Sequence, residues 1–225
     1  MKWLRHSTLA ATLSLALAVP SSAGTVVDRI VTSVNGHAVL QSDWEQEIAF
    51  EALLNGRDAD TFTAAERGAA LDRLVDQELL REQVRPGQAA PAAEVAARVA
   101  EVRKLYGGAS GETVWQAALR RYGLTESELE KRLNDDIQLM KLVEDRLRPS
   151  IQIDQKAVES YYKNELVPQL AKAGSSAKPL TEVYGSIRTL LAEKKMNELL
   201  SGWLASLRSG SQIRAPIPDA AEGNR

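Results

Sequence analysis

Three times along this chain a hydroxyl residue is followed three positions later by a glutamate: Ser42 with Glu45, Thr63 with Glu66, and Thr125 with Glu128. Such a pair satisfies two of the N–H groups that a helix leaves unbonded at its start, the hydroxyl accepting from inside and the carboxylate reaching back. Each pair opens a run with helical spacing. Ile48, Leu53 and Leu54 follow the first, Leu71, Leu74, Val75, Leu79 and Val84 the second, and Leu129, Leu133, Ile137, Met140, Val143 and Leu147 the third. Arg85-Pro86-Gly87 stops the second run. A chain punctuated in this way is committed to a mainly α fold.

Two shorter amphipathic helices are expected between the second and third runs. One spans about Ala92 to Tyr106, with Val95, Val99, Val102 and Leu105 on one face; the other spans about Glu112 to Tyr122, with Trp115, Leu119 and Tyr122. The break from Gly107 to Gly111 separates them. Ahead of all these helices, β-branched Val26 to Val34, then Asn35-Gly36, then His37 to Leu40 read as a hairpin, because Asn-Gly tolerates the positive φ of a tight turn. Two strands alone are marginal. The other strand-like piece is Gln212 to Ile217, so the two ends of the chain are expected to meet.

Asp154 is placed to cap a short helix through Tyr161 and Tyr162. Val167 to Pro179, with Pro168, Gly174, Ser175, Ser176 and Pro179, reads as a linker. A long helix then runs from Thr181 to Leu207. It carries Val183, Ile187, Leu190, Leu191, Met196, Leu199, Leu200, Trp203, Leu204 and Leu207, a stripe that something must cover. The organisation expected is a leader over 1–23, a helical module with its hairpin over 24–162, a linker over 163–181, a closing helix and strand over 182–217, and a disordered tail over 218–225.

The leader reads as a secretory signal peptide: Lys2 and Arg5, an apolar stretch from Leu9 to Val19, then Ser21 and Ala23 before a cut after Ala23. That apolar core is about a dozen residues, short of the roughly 20 a membrane span needs. Removing the leader takes two basic residues and leaves 26 Lys and Arg against 30 Asp and Glu. The charge is mild and dispersed, which argues against nucleic acid as a partner. No cysteine is present, so packing alone must hold the fold in an oxidising compartment. No stable membrane insertion is expected of the mature chain.

Catalysis has little to work with. The histidines are His6, in the leader, and His37, beside the hairpin turn, and no nucleophile elbow or phosphate loop stands in a suitable context. Asp135 and Asp136 are adjacent on a helix and read as a solvated face rather than a shared metal or acid–base site. No catalytic residue, metal or cofactor is expected. The aromatics Tyr106, Trp115, Tyr122 and Trp203 sit at helical positions where core packing is the general rule. If they instead stay open to a cleft, they make, with Leu207 nearby, a surface for extended peptides.

The order of these pieces resembles a known family. Val27-Asp28-Arg29-Ile30-Val31 with Val34-Asn35-Gly36, then Val39-Leu40-Gln41-Ser42-Asp43 and the helix Ala70-Leu71-Asp72-Arg73-Leu74-Val75-Asp76-Gln77-Glu78-Leu79-Leu80, is similar to the N-terminal domain of SurA-type periplasmic chaperones. Leu133-Asn134-Asp135-Asp136-Ile137, Arg148-Pro149 and Ile153-Asp154 to Tyr161-Tyr162 resemble the stretch before the family's parvulin domain. Trp203-Leu204-Ala205-Ser206-Leu207-Arg208 and Ile213 resemble its closing helix and strand.

Here about twenty residues separate Tyr162 from Glu182, too few for a prolyl isomerase domain, and the parvulin histidines have no counterpart. The resemblance implies a helical bundle whose hairpin is completed by a C-terminal strand, similar to SurA and trigger-factor peptide-binding domains. It implies an ATP-independent periplasmic holdase for unfolded outer-membrane or envelope proteins. The alternatives are a degenerate parvulin isomerase, and a dedicated envelope-complex subunit or a homodimer formed by swapping the closing helix.

Overall fold

A computed structural model describes residues 28–85, 89–108 and 111–215. The expected leader and the tail from 218 lie outside them. Strand β1 (Ile30–Val34) turns through Asn35 and Gly36, at φ of 50° and 93°, into β2 (His37–Leu40), as an Asn-Gly hairpin requires. A short strand β3 (Ile213–Arg214) pairs antiparallel with the other edge of β1, giving the order β2-β1-β3. The hairpin thus finds its third strand at the far end of the chain, as expected.

Helices α1 (Gln41–Asn55), α2 (Ala64–Arg81), α3 (Ala92–Lys104), α4 (Glu112–Arg121) and α5 (Glu126–Leu147) pack into one apolar core. Ile48, Leu53, Ala70, Val102, Trp115, Leu119, Leu129 and Leu133 are all buried in it. The capping boxes at Thr63 and Thr125 form in full, each hydroxyl accepting from the glutamate N–H and each carboxylate accepting from the threonine N–H. The box at Ser42 does not. There the helix begins two residues earlier than that cap would set it, at Gln41, because the Asp43 carboxylate accepts from Leu40 N–H at 2.9 Å while Ser42 donates to Asp28.

Beyond α5, α6 (Gln155–Tyr161) is capped by Asp154, whose carboxylate accepts from Ala157 N–H at 2.7 Å. The chain then stays helical where a linker was expected. A π-helical turn (Tyr162–Leu166) leads into α7 (Val167–Lys172), so only the stretch from Ala173 to Pro179 is irregular. The wide turn accommodates Pro168: proline has no N–H to give and its ring crowds the carbonyl four residues back, and Val167 N–H instead reaches Tyr162 O, five back.

Helix α8 (Leu180–Gly210) has 31 residues and so spans about 46 Å. At about 100° per residue, Leu180, Val183, Ile187, Leu190 and Leu191 share one face, whereas Met196, Leu199, Leu200, Trp203 and Leu207 fall on roughly the opposite one. The single stripe read from the sequence is therefore two. The N-terminal half packs with α6, where Lys194 stands 4.7 Å from the centre of the Tyr161 ring. The C-terminal half packs on α2 and α5. Leu207 sits against Val34, Val75 and Leu79, and Arg146 stacks 4.6 Å over Trp203.

Two side chains fasten this closing helix. Arg208 donates to Asp76 at 2.6 Å and to the Asp72 carbonyl at 2.9 Å. Asn35 accepts from Gln212 N–H at 2.8 Å and donates to the Glu82 carboxylate at 2.8 and 2.9 Å, while its own N–H donates to Gln212 O at 2.9 Å. Asn35→Ala, which adds the strain of a left-handed alanine to the lost bonds, is expected to lower unfolding free energy by about 2–3 kcal/mol. Asn35→Gly, which keeps the backbone relaxed, should cost about half as much. Chemical denaturation of both variants checks this, and equal losses would contradict it.

Candidate functional site

The five residues nominated from the sequence do not converge. Trp115 is fully buried in the helical core, its indole N–H directed at Glu126 at 3.3 Å, and Tyr106 lies against it with ring centres 6.0 Å apart. The Tyr106 hydroxyl donates to Leu53 O at 2.7 Å, and that of Tyr122 to Arg57 O. These three aromatics close the loop after α1 onto α4, so the reading of them as a peptide-lining cradle is corrected to core packing. The cause is their pairing: each polar tip finds a backbone carbonyl or carboxylate, so the rings can be buried without leaving a donor unbonded. Trp203 and Leu207 lie apart from them, half-buried where α8 docks on the module. Trp115→Ala is expected to lower stability by about 3–5 kcal/mol, read as a loss of cooperative unfolding rather than a selective loss of peptide binding.

A cavity opens elsewhere, where α1, α2 and α5 meet beside β2. It encloses ≈ 450 Å³ and is lined by Val39, Phe50 and Leu74, by carboxylates, among them Glu47, Asp135 and Asp136, and by Arg81, Lys131 and Arg132. Glu47 is 4 % exposed. It accepts from Gln77 and from Arg132, each at a long 3.3 Å, and Arg132 also donates to Gln46 at 2.8 Å. Burial pushes the Glu47 carboxyl above the usual carboxylate range, the nearby Asp136 adds to the rise, and Arg132 opposes it. Asp136 is pushed up to about 6, chiefly by burial, with Asp135 adding and Arg132 opposing.

Asp136 thus corrects the reading of the 135–136 pair as a solvated face. The signal was present in the spacing: Asp136 stands three residues after Leu133 and next to Ile137, at the edge of the apolar face of α5. Glu47 likewise sits beside Ile48 and three residues before Phe50. A carboxylate in such a place is usually discounted because a chain read alone does not show whether a partner faces it. Among the described residues no group of three His, Asp or Glu side chains converges as metal ligands would.

The raised groups give the fold a pH dependence of definite sign. Native Asp136 holds its proton to about pH 6, whereas an unfolded aspartate releases it near 3.9, so the native state binds more protons in between and its stability falls as pH rises through that window. Glu66, held at about 2 by Arg57 and the Thr63 cap, acts in the opposite sense, its contribution disappearing in acid. Comparing the thermal midpoints of wild type and Asp136→Asn from pH 4 to 7 isolates the first effect. The variant is expected to gain several degrees relative to wild type at pH 7 and little or nothing at pH 4.

No curated protein matches the chain. The model of the SurA-like N-terminal domain does match, over residues 3–143, from ahead of the hairpin through most of α5. That match takes in well over half of the sequence, including every element that builds the apolar core and the cavity. This chain belongs to the SurA-like N-terminal domain family.

Proposed function

We propose that this protein is an ATP-independent holdase that captures unfolded envelope polypeptides in the periplasm, with outer-membrane β-barrel precursors as its main clients. The family supports a chaperone-type role in general terms, with unfolded chains as the class of partner. The observation that carries the finer reading is the state of α8. Of its two apolar faces only Ile187 is buried, and Leu190 is exposed. Leu191, Met196, Leu199, Leu200, Trp203 and Leu204 are partly covered, none of them fully buried. A long helix whose two apolar faces are each left partly uncovered can hold short apolar segments at several places, each weakly, which suits strands with alternating apolar residues.

Such capture needs no catalysis. His37, the histidine among the described residues, is exposed beside the hairpin turn and lies 3.8 Å from Glu78. Both the expected leader and the family point to the periplasm, where a holdase has no nucleotide to use. Among the described residues no helix is long and apolar enough to cross a membrane.

The experiment is suppression of aggregation of a urea-unfolded porin by a few-fold excess of the mature protein, with a prolyl isomerase assay on the same preparation. Suppression without isomerisation is expected. Leu190→Asp combined with Met140→Asp, the latter on α5, against which α8 packs, and both at side chains already exposed, should lower suppression at least threefold while leaving the thermal midpoint within a few degrees of wild type. Unchanged suppression by this variant would remove α8 from the account. A single tight complex with one envelope protein, in place of many weak ones, would favour a dedicated subunit.

A further inference from the structure

An asparagine followed by glycine is open to attack by its own backbone, because glycine has no side chain to shield the nitrogen or stiffen the link. This chain holds two such pairs, Asn35-Gly36 and Asn55-Gly56, and all four residues are exposed. Their backbones differ. Asn55 ends α1, its side-chain amide donates to Glu51 O at 2.7 Å, and Gly56 N–H donates to Leu53 O at 3.3 Å in the turn that caps the helix. Gly36 stands at the tip of the hairpin, between paired Val34 and His37, and among the described residues its N–H donates to no backbone carbonyl.

What restrains Asn35 is its side chain. Oδ1 accepts from Gln212 N–H at 2.8 Å, while Nδ2 donates to the Glu82 carboxylate at 2.8 and 2.9 Å and to Ser211 Oγ at 3.2 Å. Cγ, held between these bonds, cannot swing towards Gly36 N until they part. Ser211 and Gln212 belong to the segment that follows α8, so the restraint lasts only while that end of the chain is docked. A two-residue strand with both residues exposed lies at the low end of local stability, and it opens far more often than the helical core unfolds.

We propose that Asn35 is a deamidation site, gated by the docking of β3 and the end of α8, whose product weakens that docking. During an opening, Gly36 N gives its proton to hydroxide and bonds to Asn35 Cγ. The Cγ–Nδ2 bond breaks and ammonia leaves, which closes a five-membered cyclic imide. Water then adds to one of the two imide carbonyls. Cleavage at Cγ leaves aspartate, and cleavage at the original backbone carbonyl leaves isoaspartate, with the main chain routed through Cβ. One water is consumed, one ammonia is released, and nothing is oxidised or reduced. Either product sets a carboxylate where the amide donor faced Glu82. It has no hydrogen to give, and two carboxylates at hydrogen-bond distance repel. The inference does not rest on the holdase reading.

The test incubates the mature protein at pH 8 and 37 °C, cuts it after glutamate to part the two Asn-Gly pairs, and reads each peptide for a mass gain of about one unit. Asn35 is expected to convert about fivefold faster than Asn55 in the native protein, with the ratio falling towards one in guanidinium chloride. Arg208→Ala frees the end of α8 from Asp72 and Asp76 without touching the Asn35 bonds, and it should speed Asn35 about threefold while leaving Asn55 unchanged. Equal native rates at the two pairs overturn the proposal whatever the variant does, and so does equal acceleration of both pairs, or of neither, in folded Arg208→Ala. The consequence is read on its own: Asn35→Asp should lower the thermal midpoint by several degrees at pH 7.5, and Glu82→Gln added to it, which returns a donor to the new carboxylate, should recover at least half of the loss. An unchanged midpoint in Asn35→Asp, or a loss that Glu82→Gln does not relieve, would contradict the weakened docking.

Discussion

Asn35 is where the chain closes on itself. Its left-handed backbone turns β1 into β2, and its side chain ties that turn to the end of α2 and to the residue before β3. Residues 177 apart in sequence are thereby held in one hydrogen-bonded group. Bringing such distant segments together costs chain entropy that a two-residue strand cannot offset, so the neighbouring contacts must help. Arg208 on Asp72 and Asp76, and Leu207 against Val34, Val75 and Leu79, supply them. Without that anchor α8 would have no fixed place on the helical module.

With the anchor, α8 acts as a strut between two bodies of structure. Its C-terminal half completes the core side of β1 and α2, and its N-terminal half packs with α6. The apolar face switches sides near Glu193, Lys194 and Lys195, so neither half can be covered by the partner of the other. Half-covered surface follows from the geometry of a long helix serving two partners. On the proposed reading, that partly covered surface is where unfolded chains are held.

Much of this was legible in the residues. The Asn-Gly hairpin, the threonine caps at 63 and 125, the Asp154 cap and the return of the chain to β1 all rest on local chemistry with one dominant outcome. What was misread depended on partners distant in sequence or on competition between neighbours. Ser42 lost its cap because Asp28, fourteen residues back, takes its hydroxyl, and Asp43 bonds the helix start instead. Pro168 broke no helix because a π turn ahead of it made room. Trp115 and Asp136 share a cause: periodicity shows that a side chain lies near a helix's inner face, not what lies opposite. For Trp115 that was a close-packed core, and for Asp136 a cavity.

The claim that joins these observations is that unfolded clients lie on α8. Photo-crosslinking reports it directly: a benzoylphenylalanine placed at Leu190, Leu199 or Met140, and at Ala65 on α2 as a control, is irradiated with an unfolded porin and with an unrelated unfolded protein. The account predicts crosslinks from the α8 positions and from Met140 to both clients, and few from Ala65. Equal crosslinking at all four positions, or none from α8 with either client, would contradict it.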